Sequence, residues 1–282
     1  MTEYVRVEAG GTGTAVIDTG DPGTGLPPLL LLHGSGPGVS AAANWRPVIP
    51  ALSAQRRVIA PDQLGFAGTA TGEKHGYGRA AWTDHALGVL EQLGVSQCDV
   101  IGNSMGGAIA LSLAAARPEA VRRIVLMGTM GVAMALPPGL STIWAYRPSP
   151  EAMREVIGLF AYNRALITDE LVQMRYEASL NPPVRDSWAA MFPPPQQRWV
   201  DDLALSGAEL NGITQSVLLV HGRDDQVVPW RSSSAVLVDL LPDCRLHLIG
   251  GCGHWTMIEK TAEFLGVVEP FLAGSCGGPG GG

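Results

Sequence analysis

Six short apolar runs punctuate the chain. They are "PLLLLH" closing at His33, "RRVIAPD" near Asp62, "CDVIGN" at Asn103, "RRIVLMG" at Gly128, "SVLLVHG" at Gly222 and "RLHLIGG" at Gly251. Each is rich in Leu, Ile and Val, and most are bounded by Gly, Pro or Asp, the pattern of strands buried on both faces. Helical patterns lie between them: "AAWTDHALGVLEQLG" from Ala80, "GGAIALSLAAARP" from Gly106 and "SSSAVLVDLLP" from Ser232. Strands alternating with helices predict an α/β fold whose mostly parallel, twisted sheet is flanked by helices. The early segments "EYVRVEA" and "GTAVIDTG" predict an antiparallel hairpin.

The alternation stops between residues 133 and 212. That stretch is punctuated by Pro137, Pro138, Pro148, Pro150, Pro182, Pro183 and "FPPPQQRW", with helical runs between. Ser149 as N-cap and Pro150 at the first helical position give one clear helix start. A segment of about 80 residues far exceeds one crossover, so it is expected to be an inserted helical lid. Residues 1–132 and 213–274 then form the core, and the Gly-rich tail 275–282 is expected to be disordered.

Composition narrows the partners. The 282 residues carry a net charge of −7 with no basic run, so nucleic acid is not an expected partner. No apolar run approaches the ~20 residues of a membrane span, and no secretory pattern opens the chain, so a cytoplasmic location is expected. Cys98, Cys244, Cys252 and Cys276 are scattered without metal-site or disulfide-framework spacing, and read as reduced thiols.

The candidate chemistry centres on "GNSMGG". Ser104 lies between Gly102 and Gly106, where an apolar strand gives way to a small-residue helix. This is the G-x-S-x-G nucleophile elbow: a sharp turn exposes the hydroxyl, and side chains at the flanking glycines would collide with strand or helix. A serine needs a base at neutral pH. "GGCGHWTMIEK" offers His254, and "VHGRDDQVVP" offers Asp224 and Asp225, both just past strands. The order Ser, Asp, His is that of the α/β-hydrolase fold, and Asp225 fits its usual G-x-x-D spacing from Gly222. Asp224 is then a loop carboxylate. In that fold the loop after the first parallel strand, here "HGSGPG", and the residue after the nucleophile supply the oxyanion N–H groups, making Ser35 and Met105 the candidates. Of the other histidines, His33 is expected to pin that loop, and His221, His85, His75 and His247 read as structural or surface residues.

On "LLLLHGSGPGVSAAANWRPVIPAL", "VIGNSMGGAIAL", "MRYEAS", "AAMFPPPQQRWVDDLA", "HGRDDQVVP" and "LHLIGGCGHWTMIEK", the chain resembles the meta-cleavage product hydrolases over nearly its whole length. It is most similar to those acting on 2-hydroxymuconic semialdehyde and its 6-alkyl analogues. The resemblance implies hydrolysis of the C5–C6 bond of a 2-hydroxy-6-oxo-hexa-2,4-dienoate, after conversion to its keto tautomer, with no metal or organic cofactor. It also implies a homo-oligomer, dimeric or larger. It makes Arg175 the binder of the substrate carboxylate, Asn44 and Asn103 polar pocket positions, with Asn103 better suited to supporting the elbow, and Trp255 a pocket wall. Close relatives commonly carry a tryptophan where this chain has Ala42, a loss of bulk expected to reshape the pocket mouth. An ordinary carboxylesterase using the same triad is the competing reading. A non-catalytic receptor on the same scaffold is a third, disfavoured by retention of all three triad residues.

Overall fold

The computed structural model describes residues 4–71 and 76–274. The expected tail, Cys276 and His75 lie outside the described residues. Eight strands form one sheet: β1 (Tyr4–Ala9), β2 (Thr12–Asp18), β3 (Leu29–Leu32), β4 (Val58–Pro61), β5 (Cys98–Asn103), β6 (Val121–Met127), β7 (Ser216–Gly222) and β8 (Cys244–Ile249). Their order is β1-β2-β4-β3-β5-β6-β7-β8. β1 pairs antiparallel with β2 and β2 with β4; every other pairing is parallel. The chain moves outward from β3 to β4, then returns to the other side of β3 to lay down β5. That reversal opens a crevice beyond the carboxyl ends of β3 and β5, where open α/β sheets bind ligands.

The apolar runs that form β3 to β7 are covered on both faces, whereas β8, at the sheet edge, is only partly buried. Leu29, Leu30, Leu31 and Leu32 are all wholly buried, as are Val100 and Ile101 beside them. Full burial contributes roughly 1.5–3 kcal/mol for each such side chain. The covering helices of the first half are α1 (Ala41–Trp45), α2 (Ile49–Ser53), α3 (Arg79–Gln92) and α4 (Met105–Ala116). α4 is nearly all apolar and its first ten residues are buried, so it lies inside the molecule against the sheet.

Between β6 and β7 the described chain is helical throughout its regular elements: α5 (Pro138–Trp144), α6 (Pro150–Phe160), α7 (Asp169–Leu180), α8 (Pro182–Met191), α9 (Gln197–Leu203) and α10 (Gly207–Asn211). Ser149 caps α6 by accepting from Ala152 N, and Thr168 caps α7 by accepting from Leu171 N. After β7 come α11 (Ser234–Leu240), α12 (Thr256–Glu259) and α13 (Thr261–Ala273). Among the described residues no helix is long and apolar enough to cross a membrane.

Candidate active site

Ser104 joins β5 to α4 as the N-cap of that helix, with φ 57° and ψ −118°. A non-glycine residue held there stores roughly 1–3 kcal/mol of strain. The surroundings enforce it. Ser104 N–H donates to Met127 O at 2.8 Å, and its carbonyl accepts from Gly107 N and Met130 N, both at 3.0 Å. The flanking glycines are required by close approach: a Cβ on Gly102 would stand 2.5 Å from Gly106 O, and one on Gly106 would strike the Leu32 carbonyl. Asn103 is buried and donates its side-chain N–H to Met127 O at 3.2 Å, which bolts the elbow to β6.

The loop after β3 folds over the serine. A Cβ on Gly34 would fall 2.8 Å from Ser104 Cβ. His33 anchors this loop: Gln63 N–H donates to its Nε2 at 3.0 Å, so Nδ1 carries the proton and donates to Gly34 O at 2.9 Å. Burial drives the His33 pKa down to about 4, and the nearby Arg175 charge adds to the drop. Among the described residues, no protein group accepts from the backbone N–H of Ser35 or Met105. Both flank Ser104, one by sequence and one through the overlying loop, and Met105 N–H opens α4 at its positive end.

His254 and Asp225 meet at the far side of the β6 terminus. His254 Nδ1 donates to Asp225 Oδ2 at 2.7 Å, leaving Nε2 with its lone pair free. Asp225 Oδ1 accepts from Val227 N at 2.8 Å and Val228 N at 2.9 Å. Burial would raise this carboxyl, but the facing His254 charge and the hydrogen bonds from His221 and His254 outweigh it and hold the group well below the usual carboxylate range. Asp224 instead accepts from Gly251 N at 2.8 Å and steadies the turn leading to His254. A Cβ on Gly128, which follows the Met127 that Ser104 bonds, would lie 2.7 Å from His254 Nδ1 and 3.0 Å from Asp225 Oδ2. The Ser104 turn and the His254–Asp225 pair thus lie at the same end of β6, on Met127 and Gly128. Ser104 Oγ is buried and makes no hydrogen bond among the described residues.

Arg175, on α7, is only 5 % exposed and forms no ion pair among the described residues; its Nε is unpartnered. Burial pushes the guanidinium down to about 10. A Cβ on Gly36 would stand 3.4 Å from Arg175 Nη2 and 3.4 Å from Phe160 Cζ. Arg175, Asn44 and Trp255 line one cavity of about 270 Å³, together with Ala43, Leu171 and Ile258. Asn44 is buried with an unpartnered Nδ2. Its helix α1 is fixed by Asp62, whose Oδ1 accepts from Ala41 N at 2.7 Å. Ala42 is half-buried and donates its N–H to Tyr4 Oη at 3.1 Å; Ala43, its neighbour, faces the cavity.

Several residues at the site carried no signal in the sequence. Phe160 stacks on His254 (5.6 Å between centroids) and on Trp255 (5.0 Å), and its carbonyl accepts from His254 N at 2.8 Å. Trp144 Nε1–H donates to Ser35 Oγ at 3.1 Å, while its ring stacks on Phe192 at 4.4 Å. These contacts join residues far apart in the chain, which no local spacing reveals. His221 had one legible cue, a polar residue inside an apolar strand four positions before the acid; its Nε2 lies 3.2 Å from Asp225 Oδ2.

Residues 27–261 match the family model described as alpha/beta hydrolase fold. The chain is 49% identical over 253 residues to the 2-hydroxymuconate semialdehyde hydrolase of Pseudomonas sp. (strain CF600), covering 90% of this chain and 89% of that one. It is 46% identical to the 2-hydroxy-6-oxo-2,4-heptadienoate hydrolase of Pseudomonas putida, covering 95% of each. The solved meta-cleavage product hydrolase CumD from Pseudomonas fluorescens IP01 superposes with a TM-score of 0.92 at 44% identity, over 96% of this chain and 98% of that one. With this likeness extending through the helices between β6 and β7, the chain belongs to the α/β-hydrolase-fold family and, within it, to the meta-cleavage product hydrolases.

Proposed function

We propose that the protein hydrolyses the C5–C6 bond of a 2-hydroxy-6-oxo-hexa-2,4-dienoate, giving 2-hydroxypenta-2,4-dienoate and a carboxylic acid. Ser104 is the nucleophile, His254 the base and later the acid, and Asp225 holds the His254 tautomer. The substrate first takes its keto form, which makes C5 a better leaving carbon. Ser104 Oγ then adds to C6 while His254 Nε2 accepts its proton. The oxyanion draws the N–H groups of Ser35 and Met105, donors each worth roughly 3–4 kcal/mol in a transition state. Collapse breaks C5–C6, and C5 leaves as a delocalised anion that takes a proton. Water next attacks the acyl-serine, losing a proton to His254, and releases the acid formed from C6.

The observation that carries this reading is Arg175: a buried guanidinium without an ion pair among the described residues, lining a cavity with Asn44 and lying against Gly36, two residues beyond the Gly34 that packs on Ser104. Such a cation demands an anionic partner, and its planar donors suit a carboxylate with an adjacent oxygen. Asn44 adds a donor to the same end of the substrate, and Trp255 walls the cavity. We assign Asn103 to the elbow, because its N–H is committed to Met127 O. Residues 133–212 act as the lid that brings Arg175, Trp144 and Phe160 over the sheet. The protein works as a cytoplasmic homo-oligomer, dimeric or larger.

A carboxylesterase would use the same serine, histidine and acid, and only the Arg175 end separates the two activities. The test is bleaching of the yellow 2-hydroxy-6-oxo-dienoate measured beside hydrolysis of a p-nitrophenyl ester. Efficient dienoate bleaching is expected; rapid ester turnover with no bleaching would overturn the assignment.

A further inference from the structure

Asp225 is engaged by two histidines, and the reaction proposed above uses only one. His221, the penultimate residue of β7, is wholly buried. Its Nε2 lies 3.2 Å from Asp225 Oδ2 and 2.9 Å from Val228 O. Both neighbours are acceptors, so Nε2 carries a proton and donates to them. Its Nδ1 lies 2.6 Å from Ser234 Oγ on α11 and accepts a hydrogen bond from that hydroxyl. Each ring nitrogen is therefore satisfied with the imidazole neutral. The oxygen that His221 contacts is the same one that receives His254 Nδ1–H at 2.7 Å.

We propose that His221 is a positioning residue for the reaction: its Nε2–H pins the Asp225 oxygen on which His254 is mounted. This rests on the Ser104–His254–Asp225 assignment above. With Oδ1 tied to Val227 N and Val228 N, and Oδ2 tied to His221, the carboxylate cannot turn about its Cβ–Cγ bond. The His254 ring then faces an acceptor fixed in place before substrate arrives.

A second effect follows from sharing. An oxygen that already accepts from His221 is a weaker partner for the His254 imidazolium. Removing the His221 donor strengthens Asp225 as a base and favours protonated His254, so the acid limb of kcat/KM moves to higher pH. Among the described residues, the ionisable groups around Asp225 and His254 are His221 from β7, Asp224 and Glu259, which accept from Gly251 N and Gly253 N on the loop leading to His254, and the Cys252 thiol, pushed up to about 12 and uncharged in the working range. α11 contributes the uncharged Ser234, and α6 lays the uncharged Phe160 ring on His254.

Two polar variants separate positioning from packing. In His221→Gln the side-chain amide nitrogen reaches the position of Nε2 and keeps the donor to Asp225. In His221→Asn the amide reaches only as far as Nδ1, keeping the Ser234 partner and losing the donor. The pH profile of kcat/KM and the plateau kcat are measured on the dienoate, with thermal melting in parallel. His221→Asn should raise the acid limb by about half to one pH unit and lower plateau kcat roughly tenfold with KM little changed. His221→Gln should keep the wild-type limb. A folded His221→Asn with wild-type limb and kcat, or two variants that differ from wild type only in melting temperature, overturns the positioning role. Ser104→Ala is run beside them: if it turns over undiminished, the triad assignment falls and takes this inference with it, whereas an inert Ser104→Ala leaves the His221 result to stand or fall alone.

Discussion

Arg175→Met should make the protein more stable and nearly useless on its substrate. Burial lowers the Arg175 guanidinium from its ordinary 12.5 to about 10. That displacement corresponds to about 3 kcal/mol by which the fold disfavours the charged form. The sign follows from linkage: a cation whose folded pKa lies below its unfolded value destabilises the fold at every pH below the folded pKa, and the penalty fades as pH rises through 10 toward 12.5. At pH 7 it is fully present. Methionine keeps the apolar stem and removes the charge, so after some loss of packing a gain of about 1–3 kcal/mol is expected, or a few degrees of melting temperature. Activity moves the other way. Two charged hydrogen bonds to the carboxylate end, at 1.5–3 kcal/mol each, amount to about 3–6 kcal/mol, or roughly 10²–10⁴ in kcat/KM for the dienoate. A neutral p-nitrophenyl ester has no such group and should change within about threefold. Thermal melting and steady-state kinetics on both substrates provide the measurement. A variant that melts lower and still cleaves the dienoate at the wild-type rate would refute both the buried-charge penalty and the carboxylate role.

Three further outcomes test other parts of the site. Ser104→Gly and Ser104→Ala should both lose kcat by about 10³-fold or more, yet Ser104→Gly should be the more stable by roughly 1 kcal/mol in urea unfolding, because glycine accepts φ 57° without strain. Asp225→Asn should lower kcat about 10³–10⁴-fold. Because the Asp225 carboxyl is held below its unfolded value, its stabilisation is present above about pH 4 and lost in stronger acid, so the stability gap between wild type and Asp225→Asn should narrow progressively as pH falls below about 4 in denaturant titrations. Trp144→Phe keeps the stack on Phe192 but loses the N–H to Ser35 Oγ, and should lower kcat about three- to tenfold with KM little changed; an unchanged kcat would show that the loop needs no support from α5.

What could be read from the sequence was whatever local chemistry dictates. β5 spans Cys98–Asn103, the limits of its apolar run, because a central parallel strand is buried on both faces and ends where the elbow begins. β3 stops at Leu32, one residue short of its run, because His33 leaves the ladder to bind Gly34 and Gln63. Arg175 could be placed on a helix but not in the interior, since "VQMRYEAS" has no amphipathic stripe to say which face is covered. The aromatic contacts of Trp144 and Phe160 depend on how α5 and α6 fold back over the sheet, which is a matter of tertiary packing. Asp225 and Asp224 illustrate the boundary well. Adjacent in sequence and identical in chemistry, they divide into a buried partner of two imidazoles and a half-buried cap for Gly251 only once β7 and β8 are side by side.

The loop Gly34–Gly38 makes a choice between C–C and ester hydrolysis physically intelligible. Gly34 lies against Ser104 and Gly36 against the Arg175 guanidinium, with Gly38 pressed on the Arg175 carbonyl. Two residues of extended backbone span at most about 7 Å, the scale of a six-carbon dienoate between its carboxylate and its C6 carbonyl. The same short segment therefore bounds the separation of its contacts with Arg175 and Ser104, and it carries the Ser35 N–H between them. With the roles proposed above, a substrate anchored at Arg175 would present C6 to Ser104 and its developing oxyanion to Ser35. An ester with no carboxylate can still reach the serine, but it forgoes the anchor, and the binding energy of that remote end cannot be used at the reacting carbon. On the proposed roles, selectivity for the carbon–carbon bond would reside in a ruler built from backbone, with the triad supplying chemistry common to both reactions.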